Sequence, residues 1–211
     1  MEFISDQLQL YLDTHSAQEP KLLQQLNRET HQKVLQPRML SGAYQGRILS
    51  LLSKLTKPKN ILEIGTYTGY ASLCLAEGMT AKGRLDTIDC NEELVKMQRK
   101  YFDLSPYGDR IYQHLGLATE ILPKLSGPYD LVFMDADKEN YPLYFDLIVG
   151  KMNPGALLIS DNVLWSGKVL GEAIDEATKA LQVYNDKINK DARMETVIFP
   201  VRDGLTLSRK R

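Results

Sequence analysis

The chain has 211 residues, 43% of them hydrophobic and 25% charged, with a formal net charge of −1. That length suits one domain with a substantial core, and the charge balance does not advertise a nucleic-acid or membrane surface, though it leaves room for a local basic patch. Cys74 and Cys90 stand in separate patterned segments with no CxxC, which argues against a disulfide framework or a thiolate zinc site and for a reducing compartment. Residues 1–11 mix acidic and polar side chains with apolar ones and lack the form of a signal peptide. No apolar run approaches the ~20 residues a membrane span needs, so a cytoplasmic protein without membrane contact is expected.

Residues 1–56 read as a helical N-terminal region of a single domain, 1–211. Helix-spaced apolar positions cover 16–55 (Leu22, Leu23, Leu26, then Ile48, Leu49, Leu52), and Pro37 interrupts them. A strand at 60–64 and a helix at 70–79 follow, then a strand at 84–89, a helix at 92–104, a strand at 110–115 and a short helix at 119–122. The run YDLVFM at 129–134 is apolar but for Asp130, as a strand buried on both faces should be. A helix at 142–151, a strand at 156–160 and a long amphipathic helix at 172–188 come next. Two last strands, 196–201 and 205–208, flank Asp203-Gly204, a hairpin signal. Alternating strands and helices imply an α/β fold, a mostly parallel sheet with helices on both faces, to which the hairpin adds an antiparallel strand at or near one edge. Such sheets bind ligands beyond the carboxyl ends of their strands.

The first strand runs into Glu63-Ile64-Gly65-Thr66-Tyr67-Thr68-Gly69-Tyr70. The G-x-x-x-G spacing is neither a dinucleotide fingerprint nor a phosphate loop. Asp89 ends the next strand, where a carboxylate can accept both hydroxyls of a ribose. Glu63 adds negative charge, which suits a sulfonium cation better than a phosphate.

The strand YDLVFM ends in Asp135-Ala136-Asp137-Lys138, and the strand ALLIS ends in Asp161-Asn162. Each acidic residue alone reads as a helix cap. If the two strands are neighbours, Asp135, Asp161 and Asn162 converge, and their hard oxygen donors suit magnesium, with manganese or calcium as alternatives. With three histidines and no H-E-x-x-H, zinc is disfavoured. Lys138, near the same spot, is a candidate general base.

The motifs EIGTYTGY, MDADKENY and SDNVLWSG resemble those of the metal-dependent class I O-methyltransferases, which include the caffeoyl-CoA and catechol O-methyltransferases. The resemblance runs from about residue 36 to the end. It implies a Rossmann-like sheet of seven strands with a reversed strand near one edge, and a homodimer. It implies S-adenosylmethionine as methyl donor, a catechol-type vicinal diol as acceptor, and a divalent metal on Asp135, Asp161 and Asn162. Lys138 is implied as the base that deprotonates the acceptor hydroxyl.

For the cofactor the resemblance implies Glu63, Gly65 and Thr66 near the methionine part, Asp89 on the ribose and Ala118 near the adenine. Asp135, Asp137 and Tyr144 would lie close by, with Ser41 reaching in from the N-terminal region. Ala71 stands where many relatives carry serine, leaving Ser72 beside it as the polar residue. Ser166 stands where plant caffeoyl-CoA enzymes carry asparagine, which counts against that acceptor. Trp165 reads either as a wall of the aromatic pocket or as a packing tryptophan. Two rival functions remain: methylation of a hydroxyuridine in transfer RNA, which requires a basic approach surface, and a non-catalytic nucleoside-binding module.

Overall fold

The computed structural model describes residues 5–211; residues 1–4, on which part of the signal-peptide reading rests, lie outside them. Three helices come first: α1 (Asp6–His15), α2 (Lys21–Lys33) and α3 (Gly42–Thr56). Alternation follows through β1 (Asn60–Ile64), α4 (Tyr70–Ala76), β2 (Arg84–Asp89), α5 (Val95–Asp103), β3 (Ile111–Leu115), α6 (Ala118–Ile121) and β4 (Tyr129–Met134). The chain ends with α7 (Tyr141–Val149), β5 (Met152–Asp161), α8 (Glu176–Lys190), β6 (Met194–Phe199) and β7 (Leu205–Lys210).

The seven strands form one sheet in the order β3-β2-β1-β4-β5-β7-β6. Strands β1 to β5 run parallel to one another, and β7 runs antiparallel to both β5 and β6. The reversed strand therefore lies one place in from an edge. Among the described residues no helix is long and apolar enough to cross a membrane.

Successive side chains of β4 enter opposite cores. Leu131 and Phe133 pack with Leu23 and Leu26 of α2, Leu49 of α3, the buried α4, and Tyr101 and Phe102 of α5. Val132 and Met134 pack on the other face with Tyr144, Phe145 and Ile148 of α7 and Leu181, Tyr184 and Ile188 of α8. All four β4 side chains are fully buried, as the unbroken apolar run requires.

Several boundaries differ from the sequence reading. The helical region is three helices, broken at residues 16–20 and again at the 3-10 turn Pro37–Met39. Strand β5 begins four residues early and carries Pro154 and Gly155 within it. The β4–β5 register shifts between Tyr129 and Leu131, and that irregularity accommodates them. The last connection is two residues longer than 202–204: residues 200–204 join the strands, with Arg202 at φ 48°.

Candidate active site

The register of the sheet assembles the site. Ile64 of β1 pairs with Ile88 of β2 and with Met134 of β4, and Met134 pairs with Ser160 of β5. The next residues, Gly65, Asp89, Asp135 and Asp161, therefore line up along the carboxyl edge. At Gly65 the chain must pass against Asp135. Its φ is +99°, and a Cβ there would lie 1.9 Å from the Asp135 carbonyl oxygen, so a side chain is excluded.

Asp135 and Asp161 stand at adjacent strand ends, as the sequence reading required. Asp161 is buried, and burial, with the Asp135 carboxylate beside it, pushes its carboxyl up to about 7. Lys138 and hydrogen bonds from Gln45 and the Asn162 amide oppose that rise. Asp161 Oδ2 accepts from Gln45 Nε2 at 2.6 Å, and Oδ1 accepts from the Asn162 backbone N–H at 2.7 Å. Asn162 follows in a left-handed conformation, φ 60°.

Lys138 opens a 3-10 turn, and its side chain is only 8% exposed. Its Nζ donates to Asp135 Oδ1 at 3.0 Å and to the Tyr141 hydroxyl at 2.7 Å. Tyr141, fully buried, donates onward to the backbone oxygens of Asp161 at 2.9 Å and Met134 at 3.2 Å. Burial and the two nearby aspartates hold its hydroxyl far above the ordinary tyrosine value, so Tyr141 remains a phenol. Its oxygen is thereby left to accept from the lysine.

Glu63, at the end of β1, is fully buried. Its Oε2 accepts from the Ser72 hydroxyl and from Thr87 Oγ1, the latter at 2.5 Å, and its Oε1 has no partner among the described residues. Burial pushes its carboxyl up to about 8, and Asp89 and Asp135 add to the rise against the two hydroxyl donors. A buried, unpartnered carboxyl oxygen is costly unless something fills the place. Thr66 and Thr87 share a hydrogen bond at 2.5 Å beneath it.

Two hollows meet at Thr66. One is lined by Leu40, Ser41, Gly65, Tyr67, Ala71 and Asp135 among others. The other lies below Asp89, between Thr87, Gln98 and His114. Asp89 accepts from the backbone N–H groups of Tyr67 at 2.7 Å and Asn91 at 2.8 Å, which fixes its carboxylate and leaves further acceptor capacity. The Gly116 amide donates to the Asp89 carbonyl at 2.9 Å and so holds the turn leading to Ala118 against the same strand end.

One expectation changes, and two others gain their local surroundings. Ser72 is not on the cleft wall: Ala71 lines it, and the buried Ser72 hydroxyl is committed to Glu63. Asp137 and Tyr144 meet each other, Tyr144 donating to Asp137 Oδ1 at 2.5 Å, with Asn140 as a second donor. Trp165 is half-buried at φ 46° and packs against the α7–α8 core, its indole nitrogen buried without a partner among the described residues. That placement favours its packing role.

Sequence reasoning missed Gln45, Thr87, Tyr141 and Arg202. Tyr141 stands three residues after Lys138 inside MDADKENY, a helical spacing that signals proximity. Gln45 is 116 residues from Asp161 and carried no signal.

Strand-end carboxylates beside a glycine turn on a seven-stranded sheet with one reversed strand define the class I methyltransferase arrangement, and comparison with known proteins agrees. The family model described as O-methyltransferase matches residues 13–211. A catechol O-methyltransferase of Niastella koreensis is 32% identical over 174 residues, covering 78% of this chain and 79% of that protein. A caffeoyl-CoA O-methyltransferase of Petroselinum crispum is 34% identical over 221 residues, covering 98% and 91%. The O-methyltransferase of Bacillus cereus, solved in complex with SAH, superposes with a TM-score of 0.90 at 26% identity, covering 97% of each chain. The chain therefore belongs to the O-methyltransferase family and is an S-adenosylmethionine-dependent O-methyltransferase.

Proposed function

We propose that this protein moves the methyl group of S-adenosylmethionine to one hydroxyl of a vicinal dihydroxy aromatic, and that a divalent metal ion, magnesium first, is held by Asp135, Asp161 and Asn162. The observation that carries the metal is the pair of carboxylates at adjacent strand ends, one of them buried and raised to about 7 beside the other. Two such groups repel until a cation neutralises them, and carboxylate and amide oxygens are the donors magnesium takes. A diol is the acceptor that offers two adjacent oxygens to one cation, and the catechol and caffeoyl-CoA relatives support an aromatic one. When bound, the ion would supply Lewis-acid polarisation of the acceptor hydroxyl and lower its pKa.

The chain's own residues do the rest. Lys138, held by Tyr141, acts at Nζ as the neutral amine: it first gives to solvent the proton it directs at Asp135, then takes the proton from the acceptor hydroxyl. The orphaned Oε1 of Glu63 fits a cationic group, which the amino-acid end of the donor carries. Asp89 keeps lone pairs for ribose hydroxyls. Leu40, Ser41 and Gly65, which line the cleft, would confine donor and acceptor so that oxygen, methyl carbon and sulfur align, which can supply a large part of the barrier reduction.

The test is transfer of labelled methyl from S-adenosylmethionine to a panel of catechols, caffeoyl esters and transfer RNA, with and without chelator. Transfer to a catechol, abolished by chelator and restored by magnesium, is expected. Undiminished transfer in excess chelator contradicts the metal, and transfer to RNA alone contradicts the acceptor.

A further inference from the structure

Gln45 lies in the first turns of α3 and is fully buried. Burying an amide costs free energy unless both of its ends find partners. Its Nε2 donates to Asp161 Oδ2 at 2.6 Å, and its Oε1 faces Arg202 Nη1 at 3.3 Å. The chemistry of the partners decides this orientation. A guanidinium can only donate, and an ionised carboxylate can only accept. Arg202, in the connection between β6 and β7, also donates from Nη1 to the Leu40 carbonyl at 3.2 Å and to the Ser41 carbonyl. One guanidinium thus ties the stretch that lines the cleft to the amide that touches Asp161. With Gln45 on Oδ2 and the Asn162 amide on Oδ1, each Asp161 oxygen has one fixed donor and its plane is set.

Resting on the cation reading above, we infer that Gln45 is a positioning residue for Asp161, and that Arg202 sets which way its amide points. The cation site is then assembled by the N-terminal helical region and the C-terminal hairpin together, from residues 45, 161 and 202. A neutral donor at this point holds the carboxylate without competing for the ion. A carboxylate there would add a third negative charge, and an apolar side chain would leave Asp161 free to turn away.

The experiment is a titration with Mn2+ of the full chain and of Gln45→Leu, Gln45→Met, Arg202→Met and the double variant Gln45→Leu/Arg202→Met. Free Mn2+ is read by electron paramagnetic resonance, and SAH affinity is measured in parallel. Gln45→Leu is expected to weaken Mn2+ binding by about tenfold or more, as loss of a partner to a metal ligand does, with SAH affinity within about twofold. Gln45→Met keeps nearly the shape of glutamine without the N–H donor to Asp161 and is expected to weaken Mn2+ binding to a similar degree. Arg202→Met is expected to weaken it less, and the double variant no more than Gln45→Leu alone, since Arg202 acts through Gln45.

Gln45→Leu or Gln45→Met binding Mn2+ like the wild type overturns the inference. If Gln45→Leu does not fold, Gln45→Met decides alone: weaker binding with SAH affinity kept supports the positioning role, and wild-type binding overturns it. A wild-type chain that binds SAH but no Mn2+ overturns the cation reading itself, a result distinct from the first two.

Discussion

Lys138 makes two hydrogen bonds, and their chemistry differs. The bond to Asp135 is charge-assisted and ties up the proton that a base must already have lost. The bond to Tyr141 holds the nitrogen in place whatever its charge. Substituting Lys138→Met should therefore lower kcat by about 10²–10⁴, the span of general base catalysis, and leave SAH affinity within about twofold. Calorimetric titration beside steady-state kinetics checks both halves, and equal kcat in the variant contradicts the assignment. Glu63 makes a prediction of another kind. Its carboxyl lies at about 8 in the fold against 4.5 for an exposed glutamate. Between those values the folded chain holds more protons than the unfolded one, so stability falls as pH rises through that window. Each tenfold difference in proton affinity between the two states is worth roughly 1.4 kcal/mol. Glu63→Gln removes the titration, and its urea midpoint should fall less steeply from pH 5 to pH 8 than that of the wild type. Parallel slopes would contradict the raised value.

At the scale of the element, the site depends on how closely β1 and β4 approach at their ends. Gly65 and Gly42 both have left-handed φ, +99° and +76°, but a Cβ at Gly42 meets nothing within 4 Å while one at Gly65 meets the Asp135 carbonyl at 1.9 Å. Alanine at position 42 should cost about 1 kcal/mol, the left-handed strain alone. Alanine at position 65 should cost roughly 2–4 kcal/mol, since overpacking adds to the strain, and should displace Asp135. Denaturant unfolding of the two variants separates the terms, and equal losses would show that the close approach is not rigid. The β6–β7 hairpin matters for a related reason: its longer connection carries Arg202 to the carbonyls of Leu40 and Ser41, which a two-residue turn has no residue to do.

For the whole molecule, the α/β alternation was legible because each strand reports its own burial. YDLVFM is apolar from Leu131 to Met134, being covered on both faces there, and it is flanked by helices of the right period. The convergence of Asp135 and Asp161 was legible only conditionally: the motifs mark strand ends, but strand order decides whether they are neighbours, and no local pattern reveals strand order. The position of Pro154-Gly155 inside β5 was not legible, because local rules read that pair as a turn and only pairing with β4 overrides them. Gln45 and Arg202 were illegible for a stronger reason. Their roles exist only after α3, β5 and the last hairpin have packed, and nothing in the neighbouring residues distinguishes a buried glutamine from a surface one. Ser72 was misplaced by one helical step: adjacent residues on a helix point about 100° apart, so a neighbour cannot replace Ala71 on the cleft wall.

All of these residues bear on whether Asp135 and Asp161 share an ion. Anomalous diffraction at the manganese edge, from crystals grown with Mn2+ and SAH, addresses that directly. A single strong peak within about 2.3 Å of carboxylate oxygens of both Asp135 and Asp161, with the Asn162 amide oxygen as third donor, is the predicted result. A peak elsewhere, or none while SAH occupies the cleft, would contradict it.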